Sequence, residues 1–167
     1  MIKLGKNLSK FSTYSYRPAS KKELISAIKS RMYENGPECD LNDIDTSLIT
    51  DISWLFYESD FNGDISEWDV SNVVDMWSAF AYSKFDGDIS KWNVSKVSDM
   101  SDMFLYSKFN QDISNWDVNN VINMSRMFVF SNFNGDISKW DIRKDSETYS
   151  IFANAPIKEQ FKPRLQS

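Results

Sequence analysis

The sequence contains no histidine and only one cysteine, Cys39, among its 167 residues. Histidine is the side chain that most often serves as a general base and a common zinc ligand, so its absence removes the usual centre of both kinds of site. A single cysteine excludes an intrachain disulfide framework and any zinc site with several cysteine ligands. The composition therefore disfavours most enzymes and metalloproteins, and we expect no catalytic residue, no metal and no cofactor.

Long apolar runs are also missing. No segment approaches the roughly 18 to 20 apolar residues that span a bilayer. The first 20 residues are basic and lack the apolar core of a signal peptide, and the lone cysteine does not fit a lipid-attachment site after it. The sequence predicts a cytoplasmic protein with no membrane contact. Its 15% aromatic content favours a folded domain over a disordered chain.

The dominant feature that is present is an internal repeat with a period of 24 residues. Four units are evident and a weaker one precedes them, so the array is predicted to cover residues 37–156. Self-similarity at this period is typical of stacked units that share one core. The recurring columns include Phe61, Phe85, Phe109 and Phe133; Asp64, Asp88, Asp112 and Asp136; Trp68, Trp92, Trp116 and Trp140; and Phe56, Phe80, Phe104, Phe128 and Phe152.

Local patterns predict the course of each unit and the ends of the array. A short extended triplet begins at Asp64 and is expected to pair with its neighbours in a parallel sheet. Apolar residues at i, i+3, i+4 and i+7 from Val73 predict a short helix. The capping-box pattern from Ser20 to Glu23 predicts a helix over about 21–34 that covers the first unit. The predicted segments are a basic N-terminal segment (1–36), the array (37–156) and a basic tail (157–167).

The units FNGDISEWDVSNVVDM and FNQDISNWDVNNVINMSRMF resemble the repeats of the bacterial BspA-type leucine-rich-repeat-like surface proteins, which also occur in mycoplasmas and phages. The resemblance covers about residues 21–156. It implies an α+β fold, namely a leucine-rich-repeat-like right-handed solenoid of five 24-residue coils with an N-terminal capping helix. It also implies protein recognition without catalytic residues, often at the cell surface and usually with a leader or lipid anchor.

The repeated aspartates are the most conspicuous polar column. As an acidic face of stacked carboxylates, they would hold cations such as Ca²⁺, which prefers oxygen ligands. Alternatively, each carboxylate accepts backbone N–H groups of its own turn, which we favour because no known calcium-loop spacing is present. A carboxylate pair for glycoside hydrolysis is a further alternative, although a residue repeated in every unit is more typical of a scaffold. The acidic-face residues are Asp64, Asp88, Asp112 and Asp136.

Columns that vary between units indicate where packing does not dictate the residue, and we expect these positions to face solvent. One nearby column stays aromatic, and Tyr, Trp and Arg together are typical of interface hot spots. The same aromatic column could instead be the rim of the core. The predicted partner-binding residues are Trp77, Tyr82, Asp102, Tyr106, Arg126 and Phe130.

Charge is segregated along the chain. Residues 1–36 carry eight basic and two acidic residues (net +6), residues 37–156 carry eight and twenty-one (net −13), and residues 157–167 carry three and one (net +2). We expect a non-enzymatic module that binds another protein and no nucleic acid directly. One alternative is a phage-type inhibitor of a host defence nuclease, an acidic nucleic-acid mimic that binds a basic nucleic-acid-handling protein. Another alternative is a cell-surface adhesion protein. The simplest interpretation of the acidic charge is that it only keeps the protein soluble.

Overall fold

The computed structural model describes residues 14–165. Its named elements are one α-helix, α1 (Lys21–Asn35), and one short 3-10 helix (Glu159–Phe161). The units numbered here are residues 37–60, 61–84, 85–108, 109–132 and 133–156. The basic N-terminal segment (1–36) lies partly outside the described residues.

Helix α1 begins where the capping pattern placed it. The Ser20 Oγ accepts a hydrogen bond from the Glu23 N–H at 3.3 Å, which satisfies one of the unpaired donors of the first turn. The helix ends at Gly36, whose φ of 83° is left-handed and whose N–H donates to the Met32 carbonyl at 2.9 Å. Leu24 and Ile28 are buried in the main core, so α1 covers the start of the array.

The predicted α+β solenoid is wrong, because the described residues contain no β-strand and no helix within any unit. Neighbouring units are joined through isolated parallel bridges instead, including Asp51 to Asp75 and Asp75 to Asp99. At Asp64 the expected sheet rung is reduced to an isolated parallel bridge with Asp40, and the Asp64 side chain closes a local turn. The Ser66 N–H donates to Asp64 Oδ1 at 2.9 Å, so this donor is not available to a neighbouring unit.

The predicted short helices are replaced by turns that stack from unit to unit, which we call the turn ladder (residues 51–59, 75–83, 99–107, 123–131 and 147–155). Alternate N–H groups donate to the next unit, as from Phe80 to the Met103 carbonyl at 2.9 Å. The N–H groups between them close local turns, as from Ala81 to the Ser78 carbonyl at 3.2 Å. Left-handed residues such as Ser78 interrupt any right-handed helix. The apolar spacing therefore has a helical period without helical hydrogen bonding.

The core is a set of stacked aromatic columns. Trp68 and Trp92 stack with ring centroids 6.5 Å apart, and both indoles are 4% exposed. Each indole N–H in this column donates to a carbonyl 27 residues earlier, as from Trp92 to Ile65 at 3.1 Å. The buried polar group is thereby satisfied, which removes most of the cost of placing an indole in the core. The prediction that these tryptophans form core is confirmed.

Candidate functional site

Six aromatic side chains form a continuous surface row on the turn ladder, which we call the aromatic ridge. Tyr82 stacks on Tyr106 at 5.0 Å between ring centroids, and Tyr106 stacks on Phe130 at 4.6 Å. Towards the N-terminus, Tyr57 contacts Tyr82 edge-on at 5.6 Å. Trp54 then joins the row by contacts to its neighbours at 4.4 and 5.0 Å. The ridge consists of Trp54, Tyr57, Trp77, Tyr82, Tyr106 and Phe130.

Five of the six ridge side chains are nearly half exposed although they contact one another, and Tyr57 is partly buried. Trp77 is 42% exposed, Tyr82 43% and Phe130 47%. The columns of core phenylalanine in the second to fourth units are fully buried by comparison. A contiguous row of exposed aromatics is uncommon on a protein surface that has no binding role. The ridge is therefore the strongest candidate for a binding surface among the described residues.

The backbone under the ridge is left-handed at four of its six residues, including Trp54. Tyr82, Tyr106 and Phe130 have φ of 58°, 53° and 55°. For residues with a Cβ this conformation costs roughly 1–2 kcal/mol, and glycine would relieve it. The sequence nevertheless places bulky rings here and holds none of its five glycines at these positions. The same φ recurs at non-aromatic residues of these turns, such as Glu58 and Asn154, so the strain belongs to the turn, and the sequence places exposed rings on it in the second to fourth units.

A small second core lies beside the ridge and is separate from the main one. It consists of the buried residues Ala81, Leu105 and Val129, with Tyr57 and Ala153 packed against it. These residues immediately precede ridge residues in the chain, and four backbone hydrogen bonds join each unit to the next in this region. The ridge therefore rests on a fixed backbone, which reduces the entropy that binding would cost.

Two of the predicted partner-binding residues pair with each other. Arg126 Nε lies 3.2 Å from Asp102 Oδ1, which forms an ion pair between the third and fourth units. That carboxylate oxygen is buried and accepts no hydrogen bond of good geometry. The carboxylate is 18% exposed and the guanidinium 48%. Asp102 is therefore held within the stack, whereas Arg126 borders the ridge and keeps donors free for a partner.

The acidic face is built from local turns. In the third and fourth units, the Ser90 N–H donates to Asp88 Oδ1 and the Ser114 N–H to Asp112 Oδ1, both at 2.9 Å. The backbone bond from Ser114 lowers the pKa of Asp112 below its usual value, and the charges of Asp88 and Asp136 act weakly against this. The same geometry recurs at Asp64 and Asp136. This agrees with the turn interpretation, and these exposed carboxylates remain ionised at neutral pH.

Residues 14–165 contain neither a metal-binding cluster nor a membrane-spanning helix. No group of three or more histidine, cysteine, aspartate or glutamate side chains in that part of the chain is arranged to hold a metal ion. None of the helices described is long and apolar enough to cross a bilayer.

Sequence reasoning missed Trp54 and Tyr57, which extend the ridge into the first unit. A signal for Trp54 was available, because it falls 24 residues before Ser78, in the same variable column as Asp102 and Arg126. Tyr57 occupies the column of Ala81, whose members in the second to fourth units are buried, so its contact with Tyr82 had no counterpart in the repeat pattern. Both residues lie in the first unit, whose sequence matches the repeat more weakly than the other units do.

Comparison with protein families gave one match. The sequence matches the family described as Mycoplasma protein of unknown function, DUF285, over residues 27–128 and again over residues 78–165. The chain belongs to this family. Two overlapping matches of the DUF285 family to one chain fit a repeat protein, in agreement with the resemblance at the level of the family. Comparisons with curated proteins and with solved structures gave no match.

Proposed function

We propose that this member of the DUF285 family is a non-enzymatic recognition protein that binds a partner protein through the aromatic ridge. The observation that carries the proposal is the row of exposed rings in mutual contact, four of which lie on left-handed backbone positions where glycine would be less strained. Half-exposed Tyr and Trp side chains supply large contact area with little side-chain entropy to lose. The ridge is thus suited to binding without a large rearrangement.

The ring geometry favours a protein over a sugar or a nucleic acid as the partner. Tyr82, Tyr106 and Phe130 stack within 12° of parallel, so the faces of the inner ring are covered by its neighbours. Ligands that stack on aromatics need an open face. The ridge offers ring edges and tyrosine hydroxyls instead, which suit apolar side chains and backbone carbonyls of a protein. The net charge of −13 over residues 37–156 also repels nucleic acid.

An acidic nucleic-acid mimic is the second candidate, and the regular spacing of the acidic face favours it. Asp64, Asp88, Asp112 and Asp136 are exposed and recur every 24 residues, so this surface presents negative charges at regular intervals. A basic nucleic-acid-handling protein, such as a host defence nuclease, would be its partner. Adhesion at a cell surface is a third candidate, and it would use the same ridge.

Two matched variants distinguish these functions. The ridge variant carries Tyr82→Ser, Tyr106→Ser and Phe130→Ser. The acidic-face variant carries Asp64→Asn, Asp88→Asn, Asp112→Asn and Asp136→Asn, and asparagine keeps the turn, as Asn123 does by accepting from the Ser125 N–H at 2.9 Å. Each is compared with wild type for capture of partners from a native host lysate, and the affinity for the captured partner is then measured at low and high salt.

We expect the ridge variant to lose at least about tenfold in affinity, since hot-spot aromatics each contribute more than about 1 kcal/mol. Binding that persists in the ridge variant, but falls in the acidic-face variant and at high salt, would contradict the ridge proposal and support the mimic. Circular dichroism of both variants checks that the fold is retained.

A further inference from the structure

The turn ladder has a regular donor pattern that stops at the last unit. Between each pair of successive units, four alternate N–H groups donate to carbonyls 23 residues later at 2.7–3.0 Å. In the fifth unit the equivalent donors find no acceptor among residues 14–165. These open donors are the N–H groups of Thr148, Ser150, Phe152 and Asn154, which we call the open edge.

Side-chain exposure changes at the same place. Phe152 continues the core phenylalanine column, stacking on Phe128 at 5.9 Å, yet it is half buried while Phe128 is fully buried. Ser150 is exposed although its counterpart Ser78 is only 3% exposed. The end of the stack is therefore uncovered along the turn ladder.

Among the described residues after the array, 157–165, the backbone pairs with the fifth unit at Ile137, away from the open donors. There the Ile137 N–H donates to the Phe161 carbonyl at 3.0 Å, and Ile157 is buried. Between this segment and the open edge lies a groove of about 650 Å³ that includes Phe152, Lys162 and Arg164 among its walls. Lys162 Nζ lies 5.8 Å from the centre of the Phe152 ring.

We propose that the open edge binds a segment of a partner protein by backbone addition. The segment presents carbonyl oxygens at four alternate residues to the open donors, runs parallel to residues 148–154, and places an apolar side chain on Phe152. Each earlier unit is covered by the next unit in this same geometry. The structure of the array therefore shows what backbone conformation the partner segment must adopt. The site is separate from the aromatic ridge and does not depend on it.

A second copy of this chain does not fit the open edge. Two such edges related by a twofold axis would place donors against donors. In a head-to-tail pair, the open donors of one copy would have to bond to the carbonyls of the first unit of the other copy, and α1 lies beside that unit. Lys21 Nζ of this helix bonds to Asp51 Oδ1 at 2.8 Å and to Ser53 Oγ at 2.6 Å, next to those carbonyls. The occupant is therefore a segment of a different protein.

The test uses a peptide with the sequence of residues 98–107 (SDMSDMFLYS), which supplies the matching carbonyls to the second unit within the chain. Amide hydrogen exchange of the full protein is followed by NMR with and without millimolar peptide. In the free protein we expect the open-edge amides to exchange more than about a hundredfold faster than those of Met100, Asp102, Phe104 and Tyr106. The peptide should then protect the open-edge amides selectively.

Matched variants sharpen the result. Thr148→Pro removes one donor and should weaken peptide binding roughly two- to tenfold relative to Thr148→Ala. Phe152→Ala should weaken it further, and the reversed-sequence peptide should not protect the edge. The proposal is overturned by unchanged exchange at saturating peptide, or by protection that appears only at the aromatic ridge. Open-edge amides that are protected in the free protein and lose protection on dilution would show a second copy there, which also overturns it.

Discussion

Tyr82 and Tyr106 stack their rings at 5.0 Å while both residues hold a left-handed backbone, with φ of 58° and 53°. The stack and the strain are linked, because the left-handed turn directs the side chain outward while its N–H donates to the next unit. Tyr106 donates in this way to the Val129 carbonyl at 2.9 Å. The repeated backbone therefore builds an exposed aromatic row at the cost of local strain.

The strain predicts an unusual order of stability at position 106. Tyr106→Gly and Tyr106→Ala both remove the ring, but only glycine relieves the left-handed backbone. We expect the glycine variant to unfold with a free energy about 1 kcal/mol higher than the alanine variant, measured by urea denaturation. Tyr149 is the control, since it is exposed and its φ is not positive. There the order should reverse, because glycine ordinarily destabilises by about 0.5–1 kcal/mol relative to alanine.

The tryptophan column should dominate stability. Trp92→Ala removes a buried ring and one of the two donors to the Ile65 carbonyl, which still accepts from the Trp68 N–H at 3.2 Å. We expect the free energy of unfolding to fall by about 3–5 kcal/mol. Trp77→Ala is the control on the exposed ridge and should cost less than about 1 kcal/mol. A loss below about 1 kcal/mol for Trp92→Ala would show that this column is not core.

The acidic face predicts a dependence of stability on pH. Backbone donation from Ser114 holds the pKa of Asp112 in the folded state below its value in the unfolded chain. The stabilisation is therefore present above the unfolded-state pKa of about 3.9 and is lost as pH falls through the lower folded-state pKa. Asp112→Asn keeps the turn without a titrating group. When the pH is lowered from 6 to 3, the urea midpoint of Asp112→Asn should therefore fall less than that of wild type.

An equal loss in both proteins would show that Asp112 does not contribute to the acid sensitivity. Asp141→Asn serves as a matched control, because Asp141 is exposed and its carboxylate accepts no hydrogen bond from the described residues. That substitution should leave the change between the two pH values as in wild type.

Gly63 should tolerate no side chain. A Cβ at this position would lie 1.9 Å from the Cys39 carbonyl oxygen, and that carbonyl is held as the acceptor of the Asp64 N–H at 3.2 Å. We expect Gly63→Ala to lower the free energy of unfolding by about 1–3 kcal/mol or more. Gln111 occupies the equivalent place in the fourth unit, so Gln111→Ala is the control and should change the unfolding free energy little. Equal effects of the two substitutions would contradict this contact.

The repeat pattern predicted burial better than it predicted backbone conformation. Trp and Phe columns recur every 24 residues because each ring packs on its counterpart in the next unit, and these columns are buried. The helix expected from Val73 onward is absent because its apolar period says nothing about where the N–H groups donate. In the fold, Met76 and Phe80 donate to Asp99 and Met103 carbonyls, one unit away.

The candidate site was predicted in part. Tyr82, Tyr106 and Phe130 lie together and exposed on the ridge, as their persistent aromatic column suggested. Asp102 was expected to face a partner, but its carboxylate is largely covered and paired with Arg126. A variable column reports freedom from core packing, and it does not distinguish solvent exposure from a contact between two units.

The sequence by itself determined the helix that starts after Ser20, the aromatic columns of the core and the aromatic character of the ridge. Each depends on local capping or on residue type at a fixed period. Only the tertiary structure decided that the units are joined by a ladder of left-handed turns, that Trp54 extends the ridge and that the edge at Thr148–Asn154 is open. The reason is physical, since these features arise from hydrogen bonds and ring contacts between residues about one unit apart, which no local pattern specifies.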